Sequence, residues 1–161
     1  MKIASNASPL IFLAKIGRLD LLEDYEVIIA KQVQEEIIKG SQLGKEDSFK
    51  IERLVKANKI KVEEININKE LDKQTLGAGE KAAISLALSK KIKLILLDER
   101  KARRIAKFYK LEPRGTIGVL LEALNRNKLS KKEFKELIQK ILKEGYRIDE
   151  ELIIELLKDI K

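Results

Sequence analysis

The sequence contains no cysteine and no histidine, and these two absences exclude much enzyme chemistry. Disulfides, thiol nucleophiles, Ser-His-Asp triads and thiolate or imidazole zinc sites cannot be built without them. Any metal would need oxygen ligands, which favours Mg²⁺ or Mn²⁺. Aromatic residues make up only 4% of the chain, which argues against a surface that stacks single-stranded bases.

Long hydrophobic runs are absent too, since no apolar run approaches the ~20 residues that cross a bilayer. The apolar N-terminal stretch is interrupted by Asn6, Ser8 and Pro9, so it predicts strand, turn and helix rather than a signal peptide. We therefore expect a cytoplasmic protein without a membrane segment. The absence of cysteine, with abundant lysine and glutamate, weakly indicates a thermophilic source.

The formal net charge is +8, and its placement is uneven. Between residues 90 and 114, ten lysines and arginines face three acidic residues, a local charge of +7. A basic cluster of this kind is typical of proteins that bind polyanions. A solvated surface in a lysine-rich chain explains the same pattern equally well.

Alternating strands and helices predict an α/β sandwich with a parallel sheet, in one domain of 161 residues. The predicted strands cover residues 3–5, 27–30, 60–65, 94–97 and 112–114. The predicted helices cover residues 9–16, 19–23, 32–39, 45–58, 79–90, 100–109, 116–125, 131–142 and 150–158. Ser8 and Pro9 are expected to cap and open the first helix, and Gly40 to end the third. Residues 1–128 would form the core domain, and residues 129–161 a helical extension packed on it.

The segment KLILLDERKARR (93–104) contains the first candidate site residues, Asp98 and Glu99. They follow a short apolar run that is typical of a buried parallel strand, at the position where open α/β sheets bind ligands. Arginines and lysines follow at once, which suggests an anionic ligand. Asp98 could equally be the N-cap of the helix that begins at Arg100.

Three further polar residues stand at strand ends or helix starts, and each has an ordinary explanation. Asn6 follows the first strand and suits an Asx turn. Glu36 lies beside the apolar stripe of its helix and suits a surface charge, and Glu80 lies in a first helical turn, where the helix dipole favours a carboxylate. Taken together with Asp98 and Glu99, they resemble the dispersed acids of two-metal nucleases.

Five segments in this order and spacing resemble the PIN-domain family, the fold of VapC-type toxin ribonucleases. They are NASPLIFLAKIGRLDLL (6–22), VQEEI (33–37), GAGEKAAISLAL (77–88), LLDERKARRIA (96–106) and GTIGVLLEAL (115–124). The resemblance is greatest to a branch of small archaeal and bacterial proteins in which asparagine usually replaces the first acid. It implies a three-layer α/β/α sandwich, with extra C-terminal helices here, and an acidic Mg²⁺- or Mn²⁺-dependent pocket that cleaves RNA.

Carried over residue by residue, the resemblance gives Asn6, Glu36 and Glu80 the first three catalytic positions, while Asp98 and Glu99 compete for the fourth. The four carboxylates would be the metal ligands. The remaining candidates would contact the substrate, either at the pocket border or along the RNA backbone: Ser8, Thr116, Arg100, Arg103, Arg104 and Lys107.

The resemblance also implies partners. RNA would be the substrate, a small antitoxin protein would bind if the chain is a toxin, and we expect a homodimer. Because Asn6 is neutral, the alternative is a catalytically degenerate module that binds RNA or a protein without cleavage.

Overall fold

The computed structural model describes residues 1–159, apart from the side chains of residues 155, 157 and 159. Within them, five parallel strands form one sheet in the order β3-β2-β1-β4-β5. The strands are β1 (Lys2–Ser5), β2 (Glu26–Ala30), β3 (Ile60–Glu63), β4 (Leu94–Leu96) and β5 (Glu112–Arg114). The parallel sheet predicted from the apolar runs is confirmed.

Nine α-helices and one short 3₁₀ helix, Leu19–Leu22, connect and follow these strands in the described residues. The helices are α1 (Ala7–Lys15), α2 (Lys31–Gln42), α3 (Glu46–Lys56), α4 (Lys69–Asp72), α5 (Ala78–Ser89), α6 (Arg100–Phe108), α7 (Thr116–Asn125), α8 (Lys131–Lys143) and α9 (Glu150–Asp159). None of them combines the length and the apolar character that a bilayer crossing requires.

The direction of the chain reverses at the centre of the sheet. From β1 it runs outwards to β2 and β3, then returns across β1 to β4 and β5 on the other side. Because parallel crossovers are right-handed, helices before and after the reversal cover opposite faces, which gives the expected three layers. The reversal makes the carboxyl ends of β1 and β4 the switch point, where α/β sheets bind ligands.

The central strands are apolar because both of their faces are covered. Ile3 and Ala4 of β1 and Ile95 and Leu96 of β4 are buried. The alanine-rich helix α5 packs against β1, β2 and β4, and its small side chains allow the helix to approach the sheet closely. The acid in the first turn of α5 is therefore held firmly at the switch point.

The predicted start of the first helix is wrong. Helix α1 begins at Ala7, so Asn6 takes the N-cap position, without a side-chain cap hydrogen bond, and Pro9 is the third helical residue. A proline is tolerated there because N–H groups of the first turn have no partner within the helix. Ser8 does not cap, because its hydroxyl donates a hydrogen bond to Asp98 at 2.9 Å instead.

The predicted helix end at Gly40 is also wrong, because α2 continues through Gly40 to Gln42. A Cβ atom at this glycine would clash with the hydroxyl of Ser48 in α3. Gly40 thus allows two helices to approach closely rather than terminating one. The turn comes later, at Gly44, whose φ is +77°.

Two smaller differences concern the third strand and the loop after it. The strand ends at Glu63 rather than Ile65, and a short helix, α4, was not predicted. Asn68 caps this helix by accepting hydrogen bonds from the N–H groups of Glu70 and Leu71. The other predicted elements are present, with ends that differ by up to two residues.

Candidate active site

Three of the predicted site residues converge around Gly79 at the carboxyl edge of the sheet. A Cβ atom at Gly79 would clash with Oε1 of Glu36 and lie 2.8 Å from Oδ1 of Asn6. Asn6 comes from the end of β1, Glu36 from α2, and Glu80 follows Gly79 in the first turn of α5. The glycine therefore leaves space that the side chains of Asn6 and Glu36 occupy.

This pocket contains buried oxygen atoms without a hydrogen-bond donor. Oδ1 of Asn6 and Oε2 of Glu80 have no partner, whereas Oε1 of Glu80 accepts a hydrogen bond from the Gly77 N–H at 3.0 Å. Buried polar atoms are nearly always satisfied in folded proteins, so orphaned acceptors indicate a water or ion site. Two such acceptors on residues of this edge of the sheet, one of them on a carboxylate, favour a cation.

Burial makes the Glu36 and Glu80 carboxyls harder to ionise, since it raises the pKa of both. Burial raises the pKa of Glu80, the Gly77 N–H opposes this rise, and the charges of Glu99 and Glu36 add to it. Burial also raises the pKa of Glu36, opposed by the Gly79 N–H and Lys39. Although Glu36 as a whole residue is exposed, its carboxylate faces protein atoms and is partly desolvated. A bound cation would relieve both effects.

Asp98 has a different environment from these acids. Its Oδ1 accepts hydrogen bonds from the Thr116 N–H at 2.7 Å and the Tyr146 hydroxyl at 2.8 Å. Its Oδ2 accepts from the hydroxyls of Ser8 at 2.9 Å and Thr116 at 2.8 Å. Four donors fill the accepting capacity of a carboxylate. Asp98 therefore joins α1, α7 and the segment after α8.

The fourth position of the site was left open between Asp98 and Glu99, and their surroundings differ. Glu99 is exposed, occupies the N-cap position of α6 without capping it through its side chain, and acts on Glu80 through its charge. The capping role considered for Asp98 is therefore wrong. Glu99 is the acid whose oxygens remain open to a ligand.

The donor chemistry of the pocket suits a hard divalent cation. Asn6, Glu36 and Glu80 offer amide and carboxylate oxygens, the ligands that Mg²⁺ and Mn²⁺ prefer. Among the residues that the structure describes, no three carboxylates are grouped closely enough to bind one ion. A ligand set here would therefore combine fewer than three carboxylates with the carboxamide of Asn6 and water. The orphaned oxygen of Asn6 points to the same conclusion.

A sequence model of the PIN domain matches residues 2–161, almost the whole chain. The chain belongs to the PIN-domain family. Neither a curated protein nor a solved structure gives a significant match. The family assignment indicates a nuclease-like module, and it agrees with the parallel α/β fold.

The basic residues of this PIN domain border a groove of about 400 Å³ between α6, β5, α7 and α9. Within it, Arg100 donates to Glu151 at 3.2 Å and Arg103 to Asp149 at 2.9 Å. Arg103 also donates to the carbonyl oxygen of Asp98. No described carboxylate pairs with the other two predicted substrate cations, Arg104 and Lys107, so they remain open to an anion.

Sequence reasoning missed several residues of this PIN domain that organise the site. Tyr146 completes the shell around Asp98 and packs edge-on against Phe12, with ring centroids 5.0 Å apart. Asp149 and Glu151 pair with the basic helix from a distant part of the chain. Nothing local marks these residues, since their roles depend on where the C-terminal segment packs.

Proposed function

We propose that this PIN domain is a Mg²⁺- or Mn²⁺-dependent endoribonuclease. The observation that supports it is the buried oxygens of Asn6 and Glu80 that have no hydrogen-bond donor. The Glu36 carboxylate occupies the space next to Gly79 with Asn6. A structural polar cluster would satisfy its own acceptors, as the Asp98 cluster does. Acceptors left open at the switch point of the sheet suit a bound ion.

Asn6, Glu36 and Glu80 would hold the ion, with Glu99 as the nearby fourth acid. When bound, it supplies an activated water and stabilises the charge that develops on a phosphate. The raised pKa values of Glu36 and Glu80 fit this role, because an empty site of like charges is costly. Hydrolysis would leave a 3′-hydroxyl and a 5′-phosphate.

The basic groove supplies the proposed RNA contact. Arg104 and Lys107 lie one turn apart on α6, beside Arg100 and Arg103. Contacts of this kind position the phosphate backbone without reading bases, and their strength falls as salt rises. Ser8 and Thr116 hold Asp98, so we assign them a positioning role rather than direct substrate contact.

A second function is favoured by one residue. Asn6 removes a negative charge from the pocket, and the described residues offer no group of three carboxylates. A module that binds RNA or a protein partner without cutting would have these features. The toxin role, the antitoxin partner and the homodimer remain predictions from the family resemblance.

Mn²⁺ titration calorimetry and an RNA cleavage assay, both on the same proteins, test the proposal. The wild type should bind Mn²⁺ and cleave, Glu80→Gln should do neither, and Asn6→Asp should bind at least about tenfold more tightly, equal to 1.4 kcal/mol, because it adds a charge. Glu133→Gln is the matched control, since Glu133 is also the third residue of its helix, α8, but is solvent-exposed.

The outcomes separate the two functions. Undiminished Mn²⁺ binding by Glu80→Gln would contradict the site. The degenerate module would be favoured if the wild type binds RNA but yields no Mn²⁺-dependent cleavage products, and only Asn6→Asp yields them.

A further inference from the structure

The segment that follows α8 brings acidic side chains onto the basic groove. Asp149 accepts a hydrogen bond from Nη2 of Arg103 at 2.9 Å, and Glu151 accepts one from Nε of Arg100 at 3.2 Å. Leu152 is buried and lines the same groove. We call residues 149–152 the acidic strap. It neutralises two of the four α6 cations that the proposed function assigns to RNA.

We propose that the acidic strap competes with RNA for the groove, so that the protein carries a built-in inhibitor of its own polyanion site. The inference rests on the proposed RNA-binding function and adds its regulation. A phosphate that contacts Arg100 or Arg103 meets a strap carboxylate already bound to the same guanidinium, and the two anions repel each other at this distance. RNA binding beyond Arg104 and Lys107 therefore requires the strap to release these arginines.

The way the strap is attached permits such an exchange. It is preceded by a firm anchor, Tyr146, which is buried and bonded to Asp98. Beyond it, Leu152 is buried and Leu156 packs against the core, whereas Ile153 and Ile154 are 45% and 53% exposed, so the helix α9 stays in place. The exchange therefore needs only the side chains of Asp149 and Glu151 to turn away from the arginines, without movement of the helix.

The strength of the two ion pairs also fits a competitor rather than a fixed clamp. The side chains of Arg100 and Glu151 are 49% and 41% exposed, and those of Arg103 and Asp149 are 15% and 29% exposed. The exposed Arg100–Glu151 pair therefore contributes little to stability and is screened by salt, whereas the more buried Arg103–Asp149 pair is screened less. A polyanion that offers several phosphates can displace them.

Two substitutions remove the strap carboxylates that pair with the arginines while keeping its structure. Asp149 also caps α9, since its Oδ1 accepts from the Leu152 N–H at 2.8 Å. Asparagine caps equally well, so Asp149→Asn with Glu151→Gln should leave the helix in place. The double variant Glu136→Gln with Glu144→Gln changes net charge by the same amount at exposed residues outside the strap, for which the described side chains offer no ion pair.

Fluorescence anisotropy with a labelled single-stranded RNA of twelve nucleotides, in EDTA and over a range of salt, measures the competition. The strap variant should bind more tightly than both the wild type and the control. The slope of log affinity against log salt concentration should be steeper by about 1.4. Two more phosphates are neutralised, and each one adds about 0.7 to the slope for a single strand. Glu151→Gln alone should give about half that change.

The results distinguish failure of the proposed competition from failure of the proposed RNA binding. Equal affinities and slopes for the strap variant and its control would overturn the competition and leave RNA binding intact. Weaker binding by Arg104→Gln with Lys107→Gln supports the groove as the RNA path. Absence of binding by every protein at low salt would overturn the RNA function and the competition with it. Matching thermal melts of the variants show that they fold.

Discussion

Asp98 and Glu80 are acids at the same edge of one sheet, but their surroundings are opposite. Every acceptor site of Asp98 is filled by a donor from the protein, whereas Oε2 of Glu80 is buried without one. A satisfied carboxylate stabilises the fold, and an unsatisfied carboxylate among like charges weakens it. The comparison separates an acid that maintains the structure from one that is open to a ligand.

Removing Asp98 should have the largest effect on stability. Asp98→Ala leaves the donors on Ser8, Thr116 and Tyr146 without an acceptor, so we expect a loss of about 4 kcal/mol in the free energy of unfolding. Asp98→Asn should cost only about 1 kcal/mol. Its amide oxygen still accepts from Tyr146 and the Thr116 N–H, and the hydroxyls of Ser8 and Thr116 can rotate to accept from its amide nitrogen. Urea unfolding measures both values.

The Asp98→Asn variant also tests whether Asp98 is a ligand of the metal ion. Folded Asp98→Asn should still bind Mn²⁺ with near wild-type affinity, because the ion is held elsewhere. If its binding were lost as completely as in Glu80→Gln, Asp98 would be a ligand and the comparison would fail.

Tyr146→Phe should have the next largest effect. The ring still packs on Phe12, but Asp98 loses one of its four donors, which costs about 2 kcal/mol for a hydrogen bond to a charged group. Burial and the Asp98 charge raise the pKa of Tyr146 far above its usual value of 10.0. The stability tied to this proton is therefore present below pH 10 and lost as the pH rises further.

Unfolding curves at several alkaline pH values check this prediction. The wild type should lose stability above about pH 10, where the unfolded tyrosine ionises, and Tyr146→Phe should lack that part of the decline. Parallel declines in the two proteins would argue against a buried, protonated Tyr146.

Glu80→Gln should have the smallest effect, with the opposite sign. A carboxyl whose pKa is raised by folding contributes stability below its unfolded pKa, near 4.5, and loses it as the pH rises through the folded value. In EDTA at pH 7, replacing Glu80 with glutamine removes the free-energy cost of ionising a partly buried carboxyl. It also keeps an oxygen that accepts from the Gly77 N–H. The melting temperature should therefore rise.

The control for Glu80 is again Glu133, the exposed acid at the same position of its helix. Glu133→Gln should lower stability by about 0.5 kcal/mol, because an exposed first-turn carboxylate interacts favourably with the helix dipole. A lower melting temperature for both variants at neutral pH would mean that Glu80 is an ordinary helix-start residue.

Much of the fold was predictable because its signals are local. The buried strands were apolar runs, and helix α6 showed its buried side through Ala102 and Ala106. Errors arose where a residue that usually marks a helix boundary had a tertiary role instead. The Ser8 hydroxyl donates a hydrogen bond to Asp98 rather than capping α1. Gly40 leaves space for the side chain of Ser48 rather than ending α2.

The candidate site was predictable in part for the same reason. Asn6, Glu36 and Glu80 could be found from strand ends, helix starts and the family resemblance, and the structure brings them together at Gly79. The choice between Asp98 and Glu99 could not be made from sequence, because it depends on which acid meets donors from other elements. Likewise, the basic run 100–107 did not show that two of its arginines are already paired.

Residue types and short spacings are enough to set the strand and helix order, the oxygen-only donor chemistry and the concentration of positive charge. Which charges are satisfied depends instead on how distant segments pack together. Asp98 meets Ser8 from 90 positions away and Tyr146 from 48, and Arg100 meets Glu151 from 51. Whether a carboxylate or an arginine is open to a ligand is set by such distant partners, because chain folding brings donors and acceptors together that no local pattern relates.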